Sequence, residues 1–337
     1  MKKIIKLLFF CCYAFFIVVI LLELFARFII KQPYYAFPEG YFVEKEFYGY
    51  GLAQNFRGKY SQPEFTISIN TNSDGLRDRE HFPCDNCYKI LALGDSFTFG
   101  DGVELNDTYL SILEDRLNKN ANKKYEIIKA GVAGYSTYNE KLYLEKNGLK
   151  YHPDIVFVQF WWDDLGIDKI SYLADTGFLT TGKIKSFAQW RLFLNKNFRA
   201  YAFLRALYTR IFNKALFASR ANFFPDSEDV LRQKFNITLR QFKDIEEICK
   251  QNNIVCFFLL IPLKEFVYDK GGIKKEWDAF CDFLNQDDIK YIDITPQLIK
   301  AVNKGEAVFF IVDPHLNKNG HRIVAEALYQ YLSKISY

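Results

Sequence analysis

Short apolar runs at 90–93, 125–129, 155–160, 254–261 and 291–292 are bounded by turn-forming residues and separated by stretches with helical periodicity. Runs of this length read as buried strands, and the periodic stretches near 106–118, 137–148, 228–251, 273–284 and 319–334 read as helices. Strands alternating with helices predict an α/β fold. The expected form is a flavodoxin-like three-layer α/β/α arrangement with a central parallel sheet. Ligands bind such sheets at their carboxyl edge.

The amino terminus follows another pattern. Lys2, Lys3 and Lys6 precede an apolar run over 7–30, broken only by Glu23 and Arg27, which lie one helical turn apart and can pair. At about 1.5 Å per residue, a helix here spans a ~30 Å hydrocarbon layer. A cleaved signal peptide is the alternative. The run exceeds an ordinary signal core, however, and no small-x-small cleavage site follows it, so residues 1–30 are expected to be an uncleaved transmembrane anchor. The preceding lysines place the amino terminus in the cytoplasm and the rest of the chain outside, in a periplasm or at the cell surface.

Residues 31–87 are rich in aromatic residues and Gly, with an alternating piece at 65–71 and a Ser73-Asp74-Gly75 turn signal. This predicts a small β-rich extension beside the main domain, 88–337. Arg77 in that extension is expected to tie it to the core, the other reading being a contact to a substrate carboxylate or phosphate. Within the main domain the strand–helix rhythm breaks at 166–226. There Lys183, Lys185, Arg191, Lys196, Arg199, Arg205, Arg210, Lys214 and Arg220 occur with no Asp or Glu between them, interleaved with aromatic residues that include Phe187, Trp190, Phe212 and Phe217. Such an insertion is either a solvated basic face or an amphipathic helical cap that touches a membrane surface or an acidic polymer. Nucleic acid would suit the charge, but an extracytoplasmic location argues against it.

Composition narrows the chemistry. A chain of 337 residues, 50% hydrophobic and 18% aromatic with a net charge of +4, can bury one large core and is not disordered in bulk. Its four histidines, His81, His152, His315 and His321, are scattered, so metal-independent chemistry without a cofactor is expected. Cys84 and Cys87 allow a redox pair, half a zinc site, a local disulfide or two free thiols. The absence of further nearby ligands other than His81, together with the compartment, favours the disulfide. Cys249, Cys256 and Cys281 sit in apolar patterns and read as core residues.

The first main-domain strand ends in Gly94-Asp95-Ser96, followed by Gly100. A serine there is commonly a cap or turn residue; at a ligand-binding edge it is also a candidate nucleophile. Gly131-Val-Ala-Gly134 follows the second run, Trp161-Trp162-Asp163-Asp164 the third, and Asp313-Pro314-His315 lies near the carboxyl terminus. With these four blocks the chain resembles the SGNH/GDSL hydrolase superfamily over roughly residues 89–336. The resemblance implies the SGNH hydrolase fold, Ser96 as nucleophile, His315 as base and Asp313 as its orienting acid. It further implies an oxyanion hole from Ser96, Gly134 and the position held by Asp163. Two departures stand out: Asp163 replaces the usual Asn, and Pro314 alone separates Asp313 from His315 where two residues are usual. His321, at the start of the last helix, reads as structural.

The implied function is a membrane-anchored bacterial serine esterase or O-acyltransferase acting on acyl esters, O-acetyl groups of envelope glycans being one candidate. The other reading is a weak or inactive relative that binds a glycan or lipid. Asp163 divides them, because an ionised carboxylate repels an oxyanion; burial beside Trp161 and Trp162 is expected to raise its pKa so that the protonated carboxyl can donate a hydrogen bond to the oxyanion.

Overall fold

The computed structural model describes residues 2–29, 37–84, 86–119, 123–170, 172–173, 179–180, 186–205, 207–208, 227–268 and 273–334. Five strands form the central sheet: β5 (Cys87–Gly94), β6 (Lys124–Gly131), β7 (Ile155–Trp161), β10 (Val255–Ile261) and β11 (Tyr291–Asp293). They are parallel and ordered β11-β10-β7-β5-β6, which is the flavodoxin-like order. Alternation along each strand sorts its side chains to two faces. Leu91, Leu93, Val156, Val158, Phe258 and Leu260 enter one apolar cluster, and Ile90, Ala92, Ile155, Phe157, Phe257 and Leu259 enter the other. Continuous burial on both faces explains why these strands read as unbroken apolar runs.

Helices cover each face. α3 (Tyr109–Asn118) and the Lys318–Leu332 helix pack on one side through Tyr109, Leu113, Val324 and Leu328. On the other lie α4 (Thr137–Tyr143) and the helices Glu228–Gln251 and Lys274–Gln286, with Tyr143, Phe242 and Phe280 inward. The expected helices are therefore present, the second continuing past α4 into a π turn over Leu144–Gly148. The helix Thr295–Asn303, with Pro296 in its first turn and Leu298 and Ala301 buried, was not expected. Its nine residues leave too few apolar repeats to stand out.

α1 (Lys2–Ile29) is a single helix, long and apolar enough to cross a membrane, with its large apolar side chains exposed. A signal sequence would meet the same description. Glu23 and Arg27 pair at 2.7 Å, as their spacing predicts. The stretch after it holds two antiparallel hairpins, β1 (Phe42–Lys45) with β2 (Gly49–Leu52) and β3 (Arg57–Ser61) with β4 (Thr66–Asn70). Cys84 and Cys87 form a disulfide, and Cys249 is buried. The insertion contributes a short hairpin, β8 (Tyr172–Leu173) with β9 (Leu179–Thr180), and α5 (Ser186–Asn197). Lys183, Lys185, Arg210, Phe212, Lys214, Phe217 and Arg220 lie outside the described residues.

Candidate active site

β5 delivers its last residues to the carboxyl edge of the sheet, where α2 (Ser96–Phe99) begins at once. The Asp95 side chain caps α2 by accepting the Phe97 N–H at 2.8 Å, and Gly100 ends it in the left-handed conformation. The turn lies tight against β6, since a Cβ on Gly131 would come within 2.2 Å of the Phe99 nitrogen. Gln159 on β7 pins it from the other side, its Oε1 accepting from Asp95 N and Thr98 Oγ1. Ser96 is thus held at a fixed point on the edge and is 9% exposed.

From the far end of the chain, the loop before the last helix brings His315 to that serine. His315 Nε2 lies 2.7 Å from Ser96 Oγ, and His315 Nδ1 lies 2.6 Å from Asp313 Oδ1. The same carboxylate oxygen accepts the His315 backbone N–H at 2.9 Å. This second bond is why one intervening residue suffices. Asp313 folds back over Pro314, and its Oδ1 accepts from both the main-chain N–H and the ring Nδ1 of His315. A carboxylate partner places the proton on Nδ1 and leaves Nε2 to accept from the serine hydroxyl.

The sheet order is that of the expected three-layer α/β/α fold, and Ser96, His315 and Asp313, far apart in sequence, are brought together at its carboxyl edge. No family model matches the sequence, and no curated protein matches it. Among solved structures the chain is similar to an acetyl xylan esterase, AlAXEase, at 14% identity and a TM-score of 0.45, over 72% of this chain and 99% of that one. It is also similar to the lipase Lip_vut3 from a goat rumen metagenome (16%, 0.45, 72% and 96%). A third is a lipolytic protein of the G-D-S-L family from Desulfitobacterium hafniense (13%, 0.41, 72% and 98%).

The electrostatics are dominated by carboxyls. Burial works against charging His315, but Asp313, with Asp101 and Asp95 beyond it, overcomes this and lifts the imidazole to about 9. Asp313 is itself held below the usual carboxylate range: burial opposes ionisation, and His315 outweighs it. Asp101 Oδ2 lies 4.0 Å from His315 Nε2, on the serine side of the ring. Burial raises Asp101 to about 6 and Asp95 to about 7.

Gly134 sits exposed on the turn after β6 with φ +81°, a conformation that favours glycine. Asp163 lies in the short helical turn after β7, and here one expectation is overturned. Asp163 is exposed; the buried carboxyl is its neighbour Asp164, which accepts the Trp161 N–H and is pushed well up by burial. In this 3₁₀ turn adjacent side chains point about 120° apart, so Asp163 and Asp164 face different ways. The desolvation expected for Asp163 falls on Asp164. His321 is buried, accepts the Tyr109 N–H through Nδ1, and is lowered to about 3 by burial, so it is neutral and structural. Among the described residues no cluster of His, Cys, Asp or Glu is placed to hold a metal ion.

Several residues that the sequence did not single out hold the site loops, and most come from the β hairpins. The Glu64 carboxylate, in the β3–β4 turn, accepts the N–H groups of Ile311, Val312 and Asp313 at 2.6–2.8 Å. Lys264, just after β10, donates to the carbonyls of Phe310, Ile311 and Asp313 in the same loop. Tyr50 on β2 donates to the Ala133 carbonyl beside Gly134. Arg77 serves as the tie expected of it. It is buried, and its Nη atoms donate to the carbonyls of Ser68, Phe99, Gly100 and Val103, joining β4 to the segment after Ser96. The hairpins thereby grip the loops carrying Ser96, Gly134 and Asp313.

Proposed function

We propose that this chain is a serine esterase of SGNH/GDSL type, anchored by α1 with its catalytic domain outside the cytoplasm, acting on acyl esters through an acyl-enzyme on Ser96. The observation that carries the reading is the continuous relay from Asp313 through His315 to Ser96 Oγ. In it His315 takes the hydroxyl proton as Ser96 attacks the ester carbonyl, and Asp313 orients the ring and stabilises its cation. The C–O bond to the alcohol then breaks, and the alcohol leaves with the proton from His315. Water releases the acid by the reverse sequence; a sugar hydroxyl in place of water makes the enzyme an O-acyltransferase. Backbone N–H groups of Ser96 and Gly134 are the proposed oxyanion donors. O-acetyl groups of envelope glycans suit an extracytoplasmic esterase of this kind.

A second reading, a weak or inactive glycan- or lipid-binding relative, draws support from the exposed carboxylate at Asp163, where an amide donor is usual. Labelling with a fluorophosphonate separates the two. An active serine is phosphonylated in the wild type and not in Ser96→Ala or His315→Ala. No labelling of folded wild-type protein, or persistent labelling of Ser96→Ala, ends the esterase reading.

A further inference from the structure

The Glu23 carboxylate has partners beyond its own helix. Its Oε1 accepts from Arg27 Nε at 2.7 Å and from the Arg199 backbone N–H at 3.1 Å; Oε2 accepts the Ala200 N–H at 2.9 Å. Arg27 in turn donates to the Asn197 carbonyl at 3.0 Å. Arg199 and Ala200 begin the helical stretch that follows α5, so Glu23 satisfies two N–H groups that such a helix start leaves open. Close packing accompanies the bonds, with Ala26, Asn195 and Ala202 all buried.

The contact fixes a depth. Glu23 lies six residues before the end of α1 at Ile29, about 9 Å along the axis, which is the level of the outer interface if α1 spans a bilayer. On either side of the residues that Glu23 and Arg27 bind, the insertion exposes Trp190, Phe193, Phe198, Leu204, Leu207 and Tyr208, and α1 exposes its own apolar side chains. The charged residues of the insertion over 183–220 are all basic. Aromatic rings with Arg and Lys, and no acidic residues, make up the composition of a helix lying in an anionic lipid interface.

We propose that the described part of the insertion over 186–205 and 207–208 is an interfacial membrane-binding element latched to the anchor by Glu23, and that its partner is the lipid leaflet beside α1. This rests on the reading of α1 as a membrane anchor. The insertion leaves the sheet after β7, and the helix that follows it, Glu228–Gln251, packs on that exit: Gly166 donates to Thr238 Oγ1 and Gln241 donates to the Ile167 carbonyl.

The test uses the full chain reconstituted in phosphatidylcholine–phosphatidylglycerol vesicles. Flotation resistant to carbonate is the readout for the anchor. Tryptophan emission quenched by lipids brominated near the headgroup is the readout for the insertion, taken as the difference between wild type and Trp190→Phe. The expected result is a blue-shifted, lipid-quenched component that disappears in Trp190→Phe. It should also fall in Glu23→Leu, although that variant still floats. A floating wild type whose Trp190 component is quenched only by aqueous acrylamide overturns the proposal and leaves the anchor intact. Unchanged lipid quenching in Glu23→Leu overturns the latch. Loss of the chain from the vesicles on carbonate treatment overturns anchor and insertion together.

Discussion

Glu64 and Asp313, 249 residues apart in sequence, meet through a 2.6 Å hydrogen bond from the Asp313 backbone N–H to the Glu64 carboxylate. With Ile311 and Val312 donating to the same group, and Lys264 donating to carbonyls of the same loop, the segment before His315 is held through both its N–H and its C=O groups. Asp313, the proposed orienting acid, is therefore set in place by a residue outside the α/β core.

Glu64→Gln is expected to loosen that loop, because the amide has one acceptor oxygen and turns a donor toward N–H groups. Hydrogen bonds to a charged group contribute about 1.5–3 kcal/mol each, so losing part of this set should also lower the melting temperature. On a small ester, kcat should fall by about tenfold or more with little change in KM, as expected when a base is misplaced rather than removed. Wild-type kcat in Glu64→Gln would remove Glu64 from any positioning role.

The pH profile follows from His315. The imidazole must be neutral to accept the serine proton, and with its pKa lifted to about 9 the rate should climb as pH rises toward that value. Asp101→Asn removes a negative charge 4.0 Å from Nε2 and should shift the ascending limb to lower pH. An unmoved limb would mean that Asp101 does not act on the base. Stability has the opposite sign: a raised histidine stabilises the fold fully below its ordinary pKa, and this contribution is lost as pH rises through about 9.

Asp163→Asn should raise turnover of a small ester. An exposed carboxylate near the proposed oxyanion disfavours it, whereas the amide supplies a donor worth up to about 10²-fold in rate. Lower activity in Asp163→Asn would assign Asp163 another positive role, and the steady-state kcat of the two proteins decides.

Arg77→Lys keeps the charge but cannot reach the four carbonyls that the guanidinium Nη atoms serve. Buried carbonyls left without donors should cost roughly 3 kcal/mol, read as a lower thermal midpoint in detergent, and fluorophosphonate labelling of Ser96 should slow. An unchanged midpoint would show that the tie contributes nothing to folding.

What the sequence determined by itself was the α/β layering and the identity of the residues that meet at Ser96. Both are local signals: a strand buried on two faces must be an unbroken apolar run, and Gly94-Asp95-Ser96 and Asp313-Pro314-His315 are short blocks readable without knowing their neighbours. The Glu23–Arg27 pair was legible for the same reason, being one helical turn long. Tertiary structure alone decided the rest. A glutamate in a polar turn looks solvated until the register of β3 with β4 brings Glu64 to a loop far along the chain, and the same holds for Lys264 and for Glu23 against Arg199. Of Asp163 and Asp164, only the direction in which one short turn leaves β7 chose which carboxyl is buried, because adjacent residues of like chemistry carry no signal of which face they take.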